Sequence, residues 1–164
     1  MNVEWENRSV ISASLLNPAF CGEVIRRVAI SYNKSGDSQF PYVLSFIILP
    51  LLLHKKTRDV FPGNSSALFH LWVKENEALL MNFASRVRDM NEYTKEALMF
   101  LLKNNSISIS DSGHVLVNYY RRKSPQGSDI EEVTDIFRKA DRLGLWLRNT
   151  GATQTIFMFL KIRP

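Results

Sequence analysis

Hydrophobic positions along the chain fall into three patterns: helical spacing, short alternation and one dense run. The dense run lies in residues 42–58, YVLSFIILPLLLHKKTR, is broken by Pro50 and ends at His54, Lys55, Lys56 and Arg58. Helical spacing first appears at Phe20, Cys21, Val24, Ile25, Val28 and Tyr32, just after Asn17 and Pro18. Asn caps the orphan N–H groups of a helix start, and Pro fits the first turn, so a helix is predicted from Asn17 until the polar loop at 34–39. Pro41 is expected to open the next helix, and Pro50, which lacks an N–H, to kink or split it near Ile48.

Beyond the 61–66 turn, with Pro62, Gly63 and Asn64, two short helices are predicted. One runs through Leu68, Leu71 and Trp72, the other through Leu79, Leu80, Phe83 and Val87, with Asn76 between them. A further helix follows from about Thr94 through Ala97, Leu98, Leu101 and Leu102. It runs directly into SISISDSGHVLVNYY, where Ile107, Ile109, Val115 and Val117 alternate around Asp111, Ser112 and Gly113, the pattern of a β-hairpin. Ser128 and Glu131 form a capping box ahead of a long helix over about 129–149, which Gly151 terminates. Its seam is Ile130, Val133, Phe137, Ala140, Gly144 and Leu147, and glycine there predicts close approach of another backbone. The final TIFMFLKIRP is expected to be a short buried helix. The fold class expected is mainly α with one β-hairpin: a compact single helical domain over 1–164, with a winged-helix-like helix-hairpin unit at about 76–123.

Composition narrows the class without choosing a function. A chain of 164 residues, 45% hydrophobic and 23% charged, is sized for one domain with a real core. The apolar run around Pro50 is shorter than the roughly 20 residues a bilayer span needs, and it contains polar and proline positions. The first residues, MNVEWENRS, lack the apolar stretch of a secretory signal. With one cysteine, Cys21, neither an internal disulfide nor a thiolate zinc site is available. A cytoplasmic protein without membrane contact is expected. The net charge of +5 favours an acidic partner but does not place it.

Catalytic signatures are missing. His54, His70 and His114 are scattered, and the chain has no H-E-x-x-H pair, G-x-S-x-G elbow, Walker A loop or G-x-G-x-x-G. Cys21 sits on an apolar stripe, where it reads as a core residue, and Glu131 and Glu132 read as helix-start charges. No enzymatic activity, metal or cofactor is expected.

Nucleic-acid contact has partial support. A helix followed by a hairpin resembles the second half of a winged helix-turn-helix unit, and Arg121, Arg122 and Lys123 follow the hairpin. Yet Ala97, Leu98, Phe100, Leu101 and Leu102 occupy most of the preceding helix, and Glu96 faces phosphate badly, which disfavours base reading. Candidate DNA contacts are Arg121, Arg122, Lys123, Arg138 and Arg142, either as non-specific contacts within a larger complex or as a solvated charge run. The cluster at 54–58 also has two readings: cations capping a helix C-terminus, or a docking patch in which Arg58 makes bidentate contacts.

The ordered set NPAF, ILPLLLHKKTR, residues 66–72, YTKEALMFLL, KADRLGLW and IFMFLKIRP resembles the middle component of bacterial three-component ABC-ATPase (ABC-3C) systems along nearly the whole chain. The resemblance implies a small non-catalytic accessory or adaptor subunit. Its partners would be an SMC-like ABC ATPase and an effector, often a nuclease, in antiviral or anti-plasmid defence of the Lamassu type. Positions in the matching motifs, His54, Lys55, Thr57, Arg58, Lys139, Gly144 and Trp146, are then candidate protein contacts. Trp146 has a competing role as a core anchor. The alternative is a free-standing winged-helix transcriptional regulator, which differs in binding a defined duplex by itself.

Overall fold

The computed structural model describes residues 16–119 and 130–163. Helix α1 (Pro18–Asn33) starts as its sequence predicts: the Asn17 side-chain oxygen accepts from the Ala19 N–H at 2.8 Å, and Pro18 occupies the first turn. Its apolar stripe is buried from Cys21 to Tyr32.

The next segment departs from expectation. Phe40 and Pro41 form a short strand, β1 (Phe40–Pro41), instead of opening a helix, and a 3-10 turn (Tyr42–Leu44) leads into α2 (Ser45–Leu52). Proline has no N–H to give a sheet ladder, so it is tolerated on this edge strand. Nor does the helix split at Ile48. Pro50 lies inside α2, and Ile47, Ile48, Leu49, Leu51 and Leu52 are completely buried, which offsets the one hydrogen bond that proline removes. The break falls later, at Leu53, and the basic residues form a helix of their own, α3 (Lys55–Asp59).

Two short helices follow, α4 (Phe69–Glu75) and α5 (Glu77–Leu80), separated at Asn76, whose side chain donates to the Trp72 carbonyl at 2.9 Å. Phe83 and Val87, expected in the second short helix, instead join the 94–102 helix in one long element, α6 (Phe83–Lys103). No Gly or Pro interrupts this stretch, so the chain has no reason to break.

The hairpin forms as predicted. Strands β2 (Ile107–Ile109) and β3 (His114–Val117) pair with Ile107 opposite Val117 and Ile109 opposite Val115. The turn uses Gly113 at φ +77°, in the left-handed region. β1 adds a third antiparallel strand, giving the order β1-β3-β2. Asn33, at the end of α1, fixes this addition by accepting from the Phe40 N–H at 2.7 Å and donating to the Val115 carbonyl at 3.1 Å.

Helix α7 (Ile130–Thr150) and the short α8 (Thr153–Phe159) complete the described chain, with Gly151 at φ +102° between them. The α7 seam is displaced from the expected one at its start. Ile130 is exposed, whereas Ile136, Ala140, Leu143, Gly144 and Leu147 carry the burial. Ser128, the expected cap, lies outside the described residues. Gly144 behaves as its position predicts: a Cβ there would lie 2.7 Å from the Ser31 Cβ, 2.8 Å from the Tyr32 nitrogen and against the Val28 carbonyl oxygen. Glycine thus sets the closest approach of α7 to α1, and α1 packs in turn against α6 and α2. Among the described residues no helix is long and apolar enough to cross a membrane.

Candidate functional site

The residues singled out in the two motifs, 54–58 and 139–146, come together on one side of the fold, where α3 and the turn after it meet α7. Each motif divides into an inward and an outward part.

In α3 the inward part is unusually polar. His54 is the N-cap: its Nδ1 accepts from the Thr57 N–H at 3.3 Å and lies 2.7 Å from the Thr57 hydroxyl. Arg86 of α6 donates to that hydroxyl at 3.0 Å, and to the carbonyls of Leu79 at 3.3 Å and Pro50 at 3.4 Å. Burial, then the nearby Arg86 and Lys56 charges, hold the His54 pKa below its usual 6.5, which favours the neutral ring that the cap uses. Burial also lowers the Arg86 pKa.

Arg58 is the larger surprise. Expected as an exposed docking cation, it is 2% exposed, donating to the Leu52 carbonyl at 2.7 Å and pairing with Glu132 at 2.6 Å and Asp135 at 3.3 Å on α7. Its cationic charge thus ties the end of α2 to the first turns of α7. Thr57 is likewise buried. The C-terminal-cap reading holds for Arg58, which donates to the carbonyl of Leu52, the last residue of α2, although the cluster as a whole starts a new helix after that terminus. Exposed charge remains at Lys55, paired with Asp59 at 2.7 Å, and at Lys56.

In α7 the same division recurs. Gly144 and Trp146 are buried. Trp146 takes the core-anchor role: its indole N–H donates to the Ala67 carbonyl at 2.7 Å, and its ring lies 4.9 Å from Phe69, 5.1 Å from Trp72 and 5.8 Å from Phe61. Arg138 and Arg142 are exposed, whereas the Lys139 side chain is mostly covered. Arg138 pairs with Asp135 at 2.6 Å and Lys139 with the same carboxylate at 3.1 Å. Burial raises the Asp135 pKa, but hydrogen bonds from Arg138 and Lys139 and their charges outweigh it, so the carboxyl sits below its usual 3.8. Arg142 is exposed and has no hydrogen-bond or ion-pair partner among the described residues.

Between α7 and the turn lies a shallow notch, open to solvent, lined by Phe61, Pro62, Asn64, Leu143 and Trp146 with Lys139 and Arg142 at its edge. The turn is held in shape from within and from α7. Asn64 Oδ1 accepts from the N–H groups of Ser66 and Ala67, each at 3.1 Å, and Asn149 donates to the Ser65 carbonyl at 3.1 Å. Phe61, Asn64 and Arg86 were not among the site residues expected from the sequence. The Asn64 turn was legible in Pro62, Gly63 and Asn64, whereas nothing local marks Arg86, whose partners lie 7 to 36 residues away.

Arg121, Arg122 and Lys123 lie outside the described residues. The solvent side of α6 carries Arg88, Asp89 and Lys95, and Lys95 is paired with Glu92 at 2.9 Å. Among the described residues no group of three His, Cys, Asp or Glu side chains is placed to hold a metal ion. Cys21 is enclosed, and burial pushes its thiol up to about 12, opposite to the shift that nucleophilic activation needs.

The family described as ABC-three component (ABC-3C) system Middle Component 3 matches residues 5–164. No curated protein and no solved structure matches the chain. The chain therefore belongs to the Middle Component 3 family of ABC-three component systems.

Proposed function

We propose that the protein is a non-catalytic adaptor subunit that links or regulates an SMC-like ABC ATPase and an effector, often a nuclease, in a cytoplasmic antiviral or anti-plasmid defence complex of the Lamassu type. The observation that carries this reading is membership of a middle-component family along almost the full chain. An adaptor needs stable faces rather than a reaction centre. Consistent with that need, the polar side chains buried in the two motifs hold elements together: Arg58 joins α2 to α7, and Trp146 joins α7 to the 61–67 turn.

A winged-helix-like unit within this subunit is supported by the strand order. α6 runs into the β2-β3 hairpin, and β1, which follows α1, pairs with β3. The mixed charges on the solvent side of α6 fit weak, backbone-level DNA contact inside a complex better than reading of a defined site by a free-standing regulator.

Co-expression of the tagged chain with the other two components of its system tests the reading. The chain is expected to co-purify with the ATPase, to change its DNA-stimulated ATP turnover, and to show no substrate turnover alone. Purification as an isolated species, with sequence-dependent duplex binding at fixed salt, would support the regulator instead.

A further inference from the structure

We infer that two buried arginines, Arg26 and Arg58, are positioning residues that fix where the chain leaves the hairpin and where it enters α7. They are the two largest side chains fully enclosed among the described residues, at 1% and 2% exposure. Each reaches from the body of the fold to one end of the connection between β3 and α7. Arg26, on α1, donates through Nη2 to the Asn118 carbonyl at 2.8 Å, just past the end of β3. Arg58, on α3, donates to the Leu52 carbonyl at 2.7 Å and pairs with Glu132 at 2.6 Å and Asp135 at 3.3 Å, in the first turns of α7.

Apolar burial fixes neither end. Tyr119, next to Asn118, is 77% exposed, Ile130 is 44% exposed, and the first buried apolar residue of α7 is Ile136. Nor does stability account for two enclosed guanidiniums. Desolvation of a buried cation offsets most of what its partners return, and apolar residues of similar volume often serve a core as well or better. What an apolar side chain lacks is a planar fork of donors, which accepts only one arrangement of acceptors around it. Arg58 gathers one carbonyl and two carboxylates, and Arg26 joins Asn118 to α1, where the Glu23 carboxylate lies 3.4 Å from Nη1. Asn118 is tied in turn to the hairpin: its N–H donates to the Ser106 carbonyl at 3.0 Å and its side chain to the Asn105 carbonyl at 2.6 Å. The connection is thus anchored to α1 at one end and to α2 and α3 at the other, by contacts that set position more than they add stability.

Amide exchange of the full chain, followed residue by residue by NMR beside urea unfolding, separates the two effects, because local opening exposes an amide without global unfolding. In Arg58→Met the amides of residues 134–137 are expected to exchange about tenfold or more faster than the change in the global unfolding constant explains, with Asn118 unaffected. In Arg26→Met the Asn118 amide is expected to accelerate by a similar factor, with 134–137 unaffected. The amides of Ile48 and Leu98, in the core, should follow the global constant alone in both variants. Arg58→Lys and Arg26→Lys keep the charge and the stem without the fork; should a Met variant fail to fold, they are expected to loosen the same ends by about threefold beyond the global change. Acceleration no greater than the global change, in the Met variants or in the Lys variants that replace them, would overturn the assignment. So would loosening of both ends by either substitution.

Discussion

The two sides of α7 are built on opposite principles. Toward α1, Ala140, Leu143, Gly144 and Leu147 are buried and the backbones approach until no Cβ fits at Gly144. That contact is close and set by shape, with polar ties at its edge: Arg27 of α1 pairs with Asp141 at 2.9 Å, and the Ser31 hydroxyl donates to the Asp141 carbonyl. Toward α3 and the 61–67 turn, the same helix offers Glu132, Asp135, Arg138, Lys139 and Arg142, where polar groups bridge elements and one cation is left over. The difference shows where the fold is secured and where it has recognition capacity to spare.

Trp146 belongs to both sides, so its removal is expected to have the largest effect. Trp146→Ala should cost about 4 kcal/mol, from loss of a buried aromatic, and should collapse the notch floor as well. Trp146→Phe keeps a ring but strands the Ala67 carbonyl, and about 1 kcal/mol is expected in urea unfolding. On the closed side, Gly144→Ala should destabilise by about 2 kcal/mol: overpacking against α1 exceeds the roughly 1 kcal/mol that alanine gains in helix propensity. A stabilised Gly144→Ala would show that α1 and α7 are not in close contact.

On the polar side, the Arg58 pair is best broken from each end separately. Glu132→Gln with Asp135→Asn keeps acceptor oxygens but removes both charges that compensate the buried guanidinium, and about 2 kcal/mol is expected, reduced from a fully buried pair because Glu132 is 55% exposed. Arg58→Met removes the charge itself and should cost less. Equal losses would mean that the buried charge is not what demands compensation.

The pH effects are smaller. The His54 pKa is lowered in the fold, so its contribution is complete above the unfolded value of 6.5 and is lost as pH falls from there through the folded value. The Asp135 pKa is also lowered, so its contribution is complete above 3.8 and is lost at still lower pH. An NMR titration is expected to place the His54 midpoint below 6.5. A midpoint above 6.5 would contradict the role of Nδ1 as cap acceptor.

Much of this division was legible in the sequence, and the gaps have physical causes. Local signals carried the helix start at Asn17, the hairpin around Gly113, the end of α7 at Gly151 and the close approach at Gly144, because each is dictated within a few residues. The orientation of the basic motif was not legible. Arg58 and Lys55 look alike in the string KKTR, and only the arrival of Glu132 and Asp135, more than 70 residues later, makes one a buried tie and leaves the other in solvent. The strand at Phe40 was hidden for the same reason, since its partner Val115 is distant in sequence. The continuity of α6 was missed because Phe83 and Val87 were grouped with the apolar residues before them.

The outer side of α7 is tested most directly by the dissociation constant of the chain with another component of its ABC-three component system, for wild type and Arg142→Glu at matched thermal stability. Arg142 is exposed, so its stability effect should stay within about 0.5 kcal/mol. The expected result is a rise in dissociation constant of about tenfold, or about 1.4 kcal/mol of binding free energy, at an unchanged unfolding midpoint. Equal dissociation constants at equal stability would contradict the division of α7 into a closed face and a docking face.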